Sequence, residues 1–153
     1  MNYLIVKYIH IISATLLFGT GLGTAFHMLN AHLSGDVRAI AVVCRGVVRA
    51  DWIFTASAVA IQFVTGAWMM IHSEIPMNTG WIVRALMLYF FIGACWLPVV
   101  WLQIKMHELS EIAIASEGPL PPRYYRYFHI WFVLGMMAFP SVLVLFYLMI
   151  FKP

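Results

Sequence analysis

Four stretches of this chain, Tyr8–Leu29, Trp52–Ile71, Ala85–Ile104 and Phe128–Phe151, contain no Asp, Glu, Lys or Arg. An α-helix rises about 1.5 Å per residue, so ~20 apolar residues cross the roughly 30 Å hydrocarbon core of a bilayer. Inside lipid a segment must satisfy its own backbone polar groups, and for single runs of this length the helix does so. The sequence therefore predicts an all-α fold, an integral membrane four-helix bundle, as a single domain over residues 1–153. Composition agrees: 10% of residues are charged, against about a quarter in soluble domains.

The pieces between the runs are a connection of Asn30 to Asp51, a turn of His72 to Arg84 and a polar loop of Lys105 to Tyr127, which leave no room for a second domain. A cleaved signal peptide has an apolar stretch of only about 7–15 residues; the first run is longer, contains His27 and leads into Asn30. Cys44 and Cys95 fall at different depths of such a bundle, so two free thiols are expected.

Short cytoplasmic connections collect Lys and Arg. The first and third connections hold Arg38, Arg45, Arg49, Lys105, Arg123 and Arg126, and the opposite side holds Lys7, Arg84 and Lys152. This bias predicts a multi-pass protein of the bacterial inner (plasma) membrane with both termini periplasmic. A net charge of +3 could suggest nucleic acid as a partner, but the positive residues flank spans and form no separate basic surface. The partner read from them is the lipid bilayer.

Arg38, Arg45 and Arg49 share one helical face, with Ile40, Val42, Val43, Val47 and Val48 between them. The pattern predicts a short amphipathic interfacial helix between helices one and two, or a cytoplasmic extension of helix two. Gly118-Pro119-Leu120-Pro121-Pro122 cannot continue a helix and breaks the chain before the fourth span. Pro98 and Pro140 predict kinks in helices three and four. Gly19 and Gly23 form a small-xxx-small pair of the kind that admits a neighbouring backbone in lipid.

Polar side chains in a span are costly and face the bundle interior or a cavity. Here they are His10, Gln62, Gln103 and His129, with His27, His72 and His107 nearer the span ends. The helical face of His10 carries Tyr3, Val6, Ser13, Ala14, Leu17 and Gly21, whose small members leave room beside the imidazole. Such a groove suits a flat macrocycle with His10 as the metal (axial iron) ligand of a b-type haem, or a histidine bonded to a neighbouring helix. For a second ligand, His72 lies on the same side, roughly 5 Å shallower by the helical rise. His27 with His129 is the alternative pair at the other side. Lys7 and Arg84 stand where haem propionates would emerge, or snorkel to the interface. Met69 with His72 is a one-turn pair of the type that Cu(I) accepts. Gln62 and Gln103 could supply partners for Trp96, Trp101, Tyr89 and Tyr147. The chain has no Walker-type loop, Cys-x-x-Cys, HExxH or GxSxG sequence, so soluble-enzyme chemistry lacks support.

The Ile9-His-Ile-Ile-Ser-Ala-Thr-Leu-Leu-Phe-Gly-Thr-Gly-Leu-Gly23 run, Ala50-Asp51-Trp52, and Gly93-Ala-Cys-Trp-Leu-Pro-Val-Val-Trp-Leu-Gln103 together resemble a bacterial family of predicted integral membrane proteins without assigned function. More distantly the chain is similar to the CopD-like superfamily, which includes copper-resistance membrane proteins and the HemJ-like haem-b protoporphyrinogen oxidases. That resemblance implies a haem-binding role for His10 and a basic residue near the start of helix three, where Arg84 is the candidate. The expected functions are haem-supported electron transfer or redox support, or a structural or assembly subunit working as a homo-oligomer or with a membrane-complex partner. Protoporphyrinogen oxidation and copper handling are further alternatives.

Overall fold

The computed structural model describes residues 2–73 and 75–153. The helices are α1 (Tyr3–Ser34), α2 (Val37–Ala50), α3 (Ala56–Ile71), α4 (Gly80–Ala115) and α5 (Pro122–Phe151). A wide π-turn, Asp51–Thr55, joins α2 to α3, so Val37–Ile71 is one continuous column. Four columns are long and apolar enough to cross a membrane, and no strand occurs among the described residues.

Residues 37–50 are amphipathic as expected, and they extend the second span instead of forming a separate element in the interfacial plane. Asp51 keeps helical dihedrals, φ −64° and ψ −42°, and passes the helix on to the π-turn. The apolar stripe Ile40, Ala41, Cys44 and Val47 is buried; α2 packs against α1 and α4, with Arg38, Arg45 and Arg49 exposed.

The loop expected over Lys105–Tyr127 shrinks to residues 116–121, because α4 continues to Ala115 and α5 starts at Pro122. Leu102, Met106, Ser110 and Ala113 explain this. They recur every three or four positions and all are buried, while Glu108 is exposed. A polar average over the segment concealed a helical period.

This arginine-rich end contains the buried core. Met28 and Ala31 of α1, Ile40, Cys44 and Val47 of α2, Leu102, Met106 and Ala113 of α4, Leu120 of the loop, and Tyr124, Phe128 and Trp131 of α5 form one cluster. Elsewhere the columns pair mainly as α1 with α3 and α4 with α5. Only 11% to 17% of the apolar window of each span is buried by protein. Lipid tails are as apolar as leucine, so nothing hydrophobic drives the spans together, whereas the end that meets water can use apolar burial.

Backbone geometry sets the corners. Gly35 closes α1 at φ 67° with its N–H on the His32 carbonyl. Asp36 then caps α2, accepting from Arg38 N at 2.8 Å and Ala39 N at 3.4 Å. Glu117 ends α4 at φ 48°, a left-handed conformation that costs an L-residue roughly 1–2 kcal/mol. These corners predict opposite effects: Gly35→Ala should lower stability by about 1 kcal/mol, and Glu117→Gly should raise it by about the same amount. Thermal denaturation in a fixed detergent reads both, and equal signs would refute the assignment.

Candidate functional site

The middle of the His10 face is turned inward, with Val6 0% and Ser13 2% exposed and His10 half-buried, whereas Tyr3 and Gly21 at its two ends are exposed. His10 Nδ1 lies 2.8 Å from Thr65 Oγ1 of α3. Gln62 Nε2 donates to the His10 carbonyl at 2.7 Å, and Ser13 Oγ donates to the same oxygen at 2.9 Å. A Cβ built on Gly66 would lie 3.5 Å from His10 Cε1, so the imidazole rests directly against the α3 backbone. Gln62 thus holds the backbone that carries the imidazole and is not a partner for an aromatic residue; Tyr89 instead donates its hydroxyl to the Val59 carbonyl at 3.1 Å.

Counting protons fixes the tautomer. Thr65 Oγ1 stands 2.5 Å from the Ile61 carbonyl, a contact that must contain the single hydroxyl hydrogen, since two bare oxygens would repel. Thr65 therefore accepts from His10, and the imidazole carries its proton on Nδ1. His10 Nε2 is left with a lone pair and makes no hydrogen bond among the described residues. Metal-binding imidazoles have this arrangement, one nitrogen anchored by its N–H and the other free to donate. The two readings of His10, ligand and helix-bonded residue, turn out to be compatible.

The other histidines are not brought to it. His72 is exposed, lies flat on Trp68 at 4.0 Å between ring centroids, and sets Nδ1 2.9 Å from the Trp68 carbonyl. It follows Gly66 by six residues, or roughly 9 Å along the helix. Met69 precedes it on α3, and no group of three or more His, Cys, Asp or Glu able to hold a metal occurs among the described residues. Arg84 donates from Nε to the Gly80 carbonyl at 3.1 Å and from its terminal nitrogen to a Pro153 backbone oxygen at 2.5 Å. It ties the start of α4 to the end of α5.

His27 and His129 are both exposed. His129 lines a groove of about 370 Å³ between α1 and α5, and its imidazole neighbour there is His32. His32 stacks on Phe128 at 3.6 Å and 8°, with Nδ1 3.4 Å from the Tyr124 hydroxyl. Sequence reasoning passed over His32 because it lies beyond the apolar run; its spacing from Met28, one turn earlier on the buried face, was the available signal.

Asp51 was also passed over as a functional residue. It is 4% exposed and accepts from Thr55 Oγ1 at 2.8 Å. Its signal was an acid placed directly before an uncharged run. Cys44 and Cys95 are free thiols, as expected.

A family model described as "Predicted integral membrane protein (DUF2269)" matches residues 4–153. No curated protein and no solved structure gives a significant match.

In ¹⁵N-histidine-labelled protein, His10 should show a protonated Nδ1 and an unprotonated Nε2; a protonated Nε2 would contradict the geometry. Thr65→Val should abolish this preference and cost about 1 kcal/mol of stability, with Thr65→Ser close to the parent.

Proposed function

We propose that this chain, which belongs to the family described as predicted integral membrane protein (DUF2269), binds a b-type haem through His10 and serves membrane electron transfer or redox support. The supporting observation is the His10 imidazole, anchored through Nδ1 by Thr65 with Nε2 free. Ser13 and Gln62 hold the backbone of His10. The α1–α3 and α4–α5 pairs touch each other only in places, so a flat ligand entering between them would displace little packing. The haem would supply one-electron chemistry; this chain would supply an axial nitrogen, an oriented imidazole and an apolar surrounding that raises the cost of charge. The geometry favours a single histidine from this chain, since His72, His27 and His129 lie elsewhere. The positive residues at the α2 end support a bacterial plasma-membrane orientation with both termini outside.

The reduced optical spectrum of protein purified in lipid, with haem supplied during expression, tests this reading. Soret and α bands should appear in the parent and in His72→Ala, and fall at least tenfold in His10→Ala while the helical circular dichroism persists. Equal haem content in parent and His10→Ala would overturn it.

A second reading, an assembly subunit, is favoured by one observation. A Cβ added at Gly19, Gly21 or Gly23 would meet nothing within 4 Å, so among the described residues no helix packs closely on these glycines. In lipid, such stretches admit a second helix, from a partner or another copy. Gly19→Leu with Gly23→Leu should then release an associated chain on mild-detergent gel filtration without unfolding the protein. An unchanged elution volume would remove this reading.

A further inference from the structure

The π-turn between α2 and α3 places a carboxyl in the protein interior without a compensating cation. Asp51 is 4% exposed, and its Oδ2 has no hydrogen-bond partner among the described residues. Gln103 of α4 is 3% exposed, its side-chain amide is within hydrogen-bonding reach of that carboxyl, and its Oε1 is buried without a partner among the described residues. Thr55, also buried, gives its one hydroxyl proton to Asp51 Oδ1. Asp51 Oδ2 and Gln103 Oε1 thus each lack a hydrogen bond among the described residues, at a turn type that is rare and frequent at functional sites.

The surrounding elements offer no neutralising charge. On α2, Arg45 pairs with Glu111 at 2.7 Å, Arg49 is exposed, and the Cys44 thiol faces Met28 Sδ at 3.7 Å. On α4, Lys105 pairs with Glu108 at 2.7 Å and His107 faces Glu111 at 3.8 Å. On α1, His27 is exposed and His32 lies against Phe128. Helix α3, Ala56–Ile71, has no charged or titratable side chain. An ionised Asp51 would be a buried charge without a cationic partner, which is strongly disfavoured.

One proton meets both deficits. A carboxylic acid and a primary amide pair edge to edge, the acid O–H donating to the amide oxygen and the amide N–H donating to the acid carbonyl. An ionised carboxylate can accept from the amide nitrogen but offers nothing to Oε1. We infer that Asp51, Thr55 and Gln103 form a proton-binding site, in which Asp51 carries a proton on Oδ2 at neutral pH and donates it to Gln103 Oε1. The site lies where the second span meets the arginine-rich layer, independent of His10 and of any cofactor there. Loss of that proton would leave an uncompensated negative charge beside Gln103 Oε1, so the protonation state and the contact between the π-turn and Gln103 of α4 are coupled.

The chain has only two aspartates, Asp36 and Asp51, and Asp36 is an exposed helix cap. Carboxyl-¹³C-aspartate labelling of the whole protein in lipid therefore isolates the site without mutation. At pH 7 the infrared spectrum should contain one isotope-shifted C=O band of a protonated acid, absent in Asp51→Asn and moved to higher frequency in Gln103→Leu. Two ionised aspartates in the parent would overturn the inference, as would a band that survives Asp51→Asn. Loss of the band on adding Na⁺ at constant pH would show a cation site instead, and would overturn it too.

Discussion

The protein meets two solvents along its length, and the change from one to the other governs how its helices associate. Where water is near, α2, the ends of α1 and α4 and the start of α5 bury a continuous core that includes Met28, Cys44, Met106 and Tyr124. Where the surroundings are lipid, burying a leucine against protein gains little over leaving it against acyl chains. The spans there associate as pairs, and their large apolar side chains, among them Leu16, Phe63, Phe90 and Val144, remain outward. The Arg45–Glu111 pair bridges α2 and α4 but is half exposed and contributes little beside that core.

Lipid makes the few polar groups inside it informative, because each must find a partner within the protein. At His10 the partners are Thr65, Gln62 and Ser13, and their bonds account for the ring proton and the backbone carbonyl while leaving Nε2 free. At Asp51 the partners run short, and the shortfall amounts to one proton. The two sites lie towards opposite ends of α3: His10 contacts Thr65 and Gly66, whereas Asp51 opens the π-turn ahead of α3.

Where sequence and structure part, the reason is periodicity hidden under composition. The segment after Ile104 reads as polar because Lys105, His107, Glu108 and Glu111 dominate its average, yet Met106, Ser110 and Ala113 line one buried face. The Gly19–Gly23 stretch has the composition of a packing motif, but among the described residues no neighbour comes within 4 Å of a Cβ built on its glycines. Small residues make an approach sterically possible; whether a helix arrives depends on loop lengths and on the layer that holds the columns apart. His32 and Asp51 do not stand out in the sequence as site residues because each lies just outside an uncharged run, where a polar residue is expected to face water.

The sequence alone determined the number of spans, the helical class, the free thiols and the inward face of His10, since these follow from run length, charge exclusion and helical spacing, which are local properties. Only the tertiary structure decided that α2 continues the second span, that Thr65 sets the tautomer of His10, and that Gln103 lies against Asp51. Those facts join residues 55 and 52 positions apart in the chain for the His10 contacts and bring the Gln103 side chain of α4 to Asp51 for the third. Spacing within one helix carries no information about which side chain of another helix will stand opposite it.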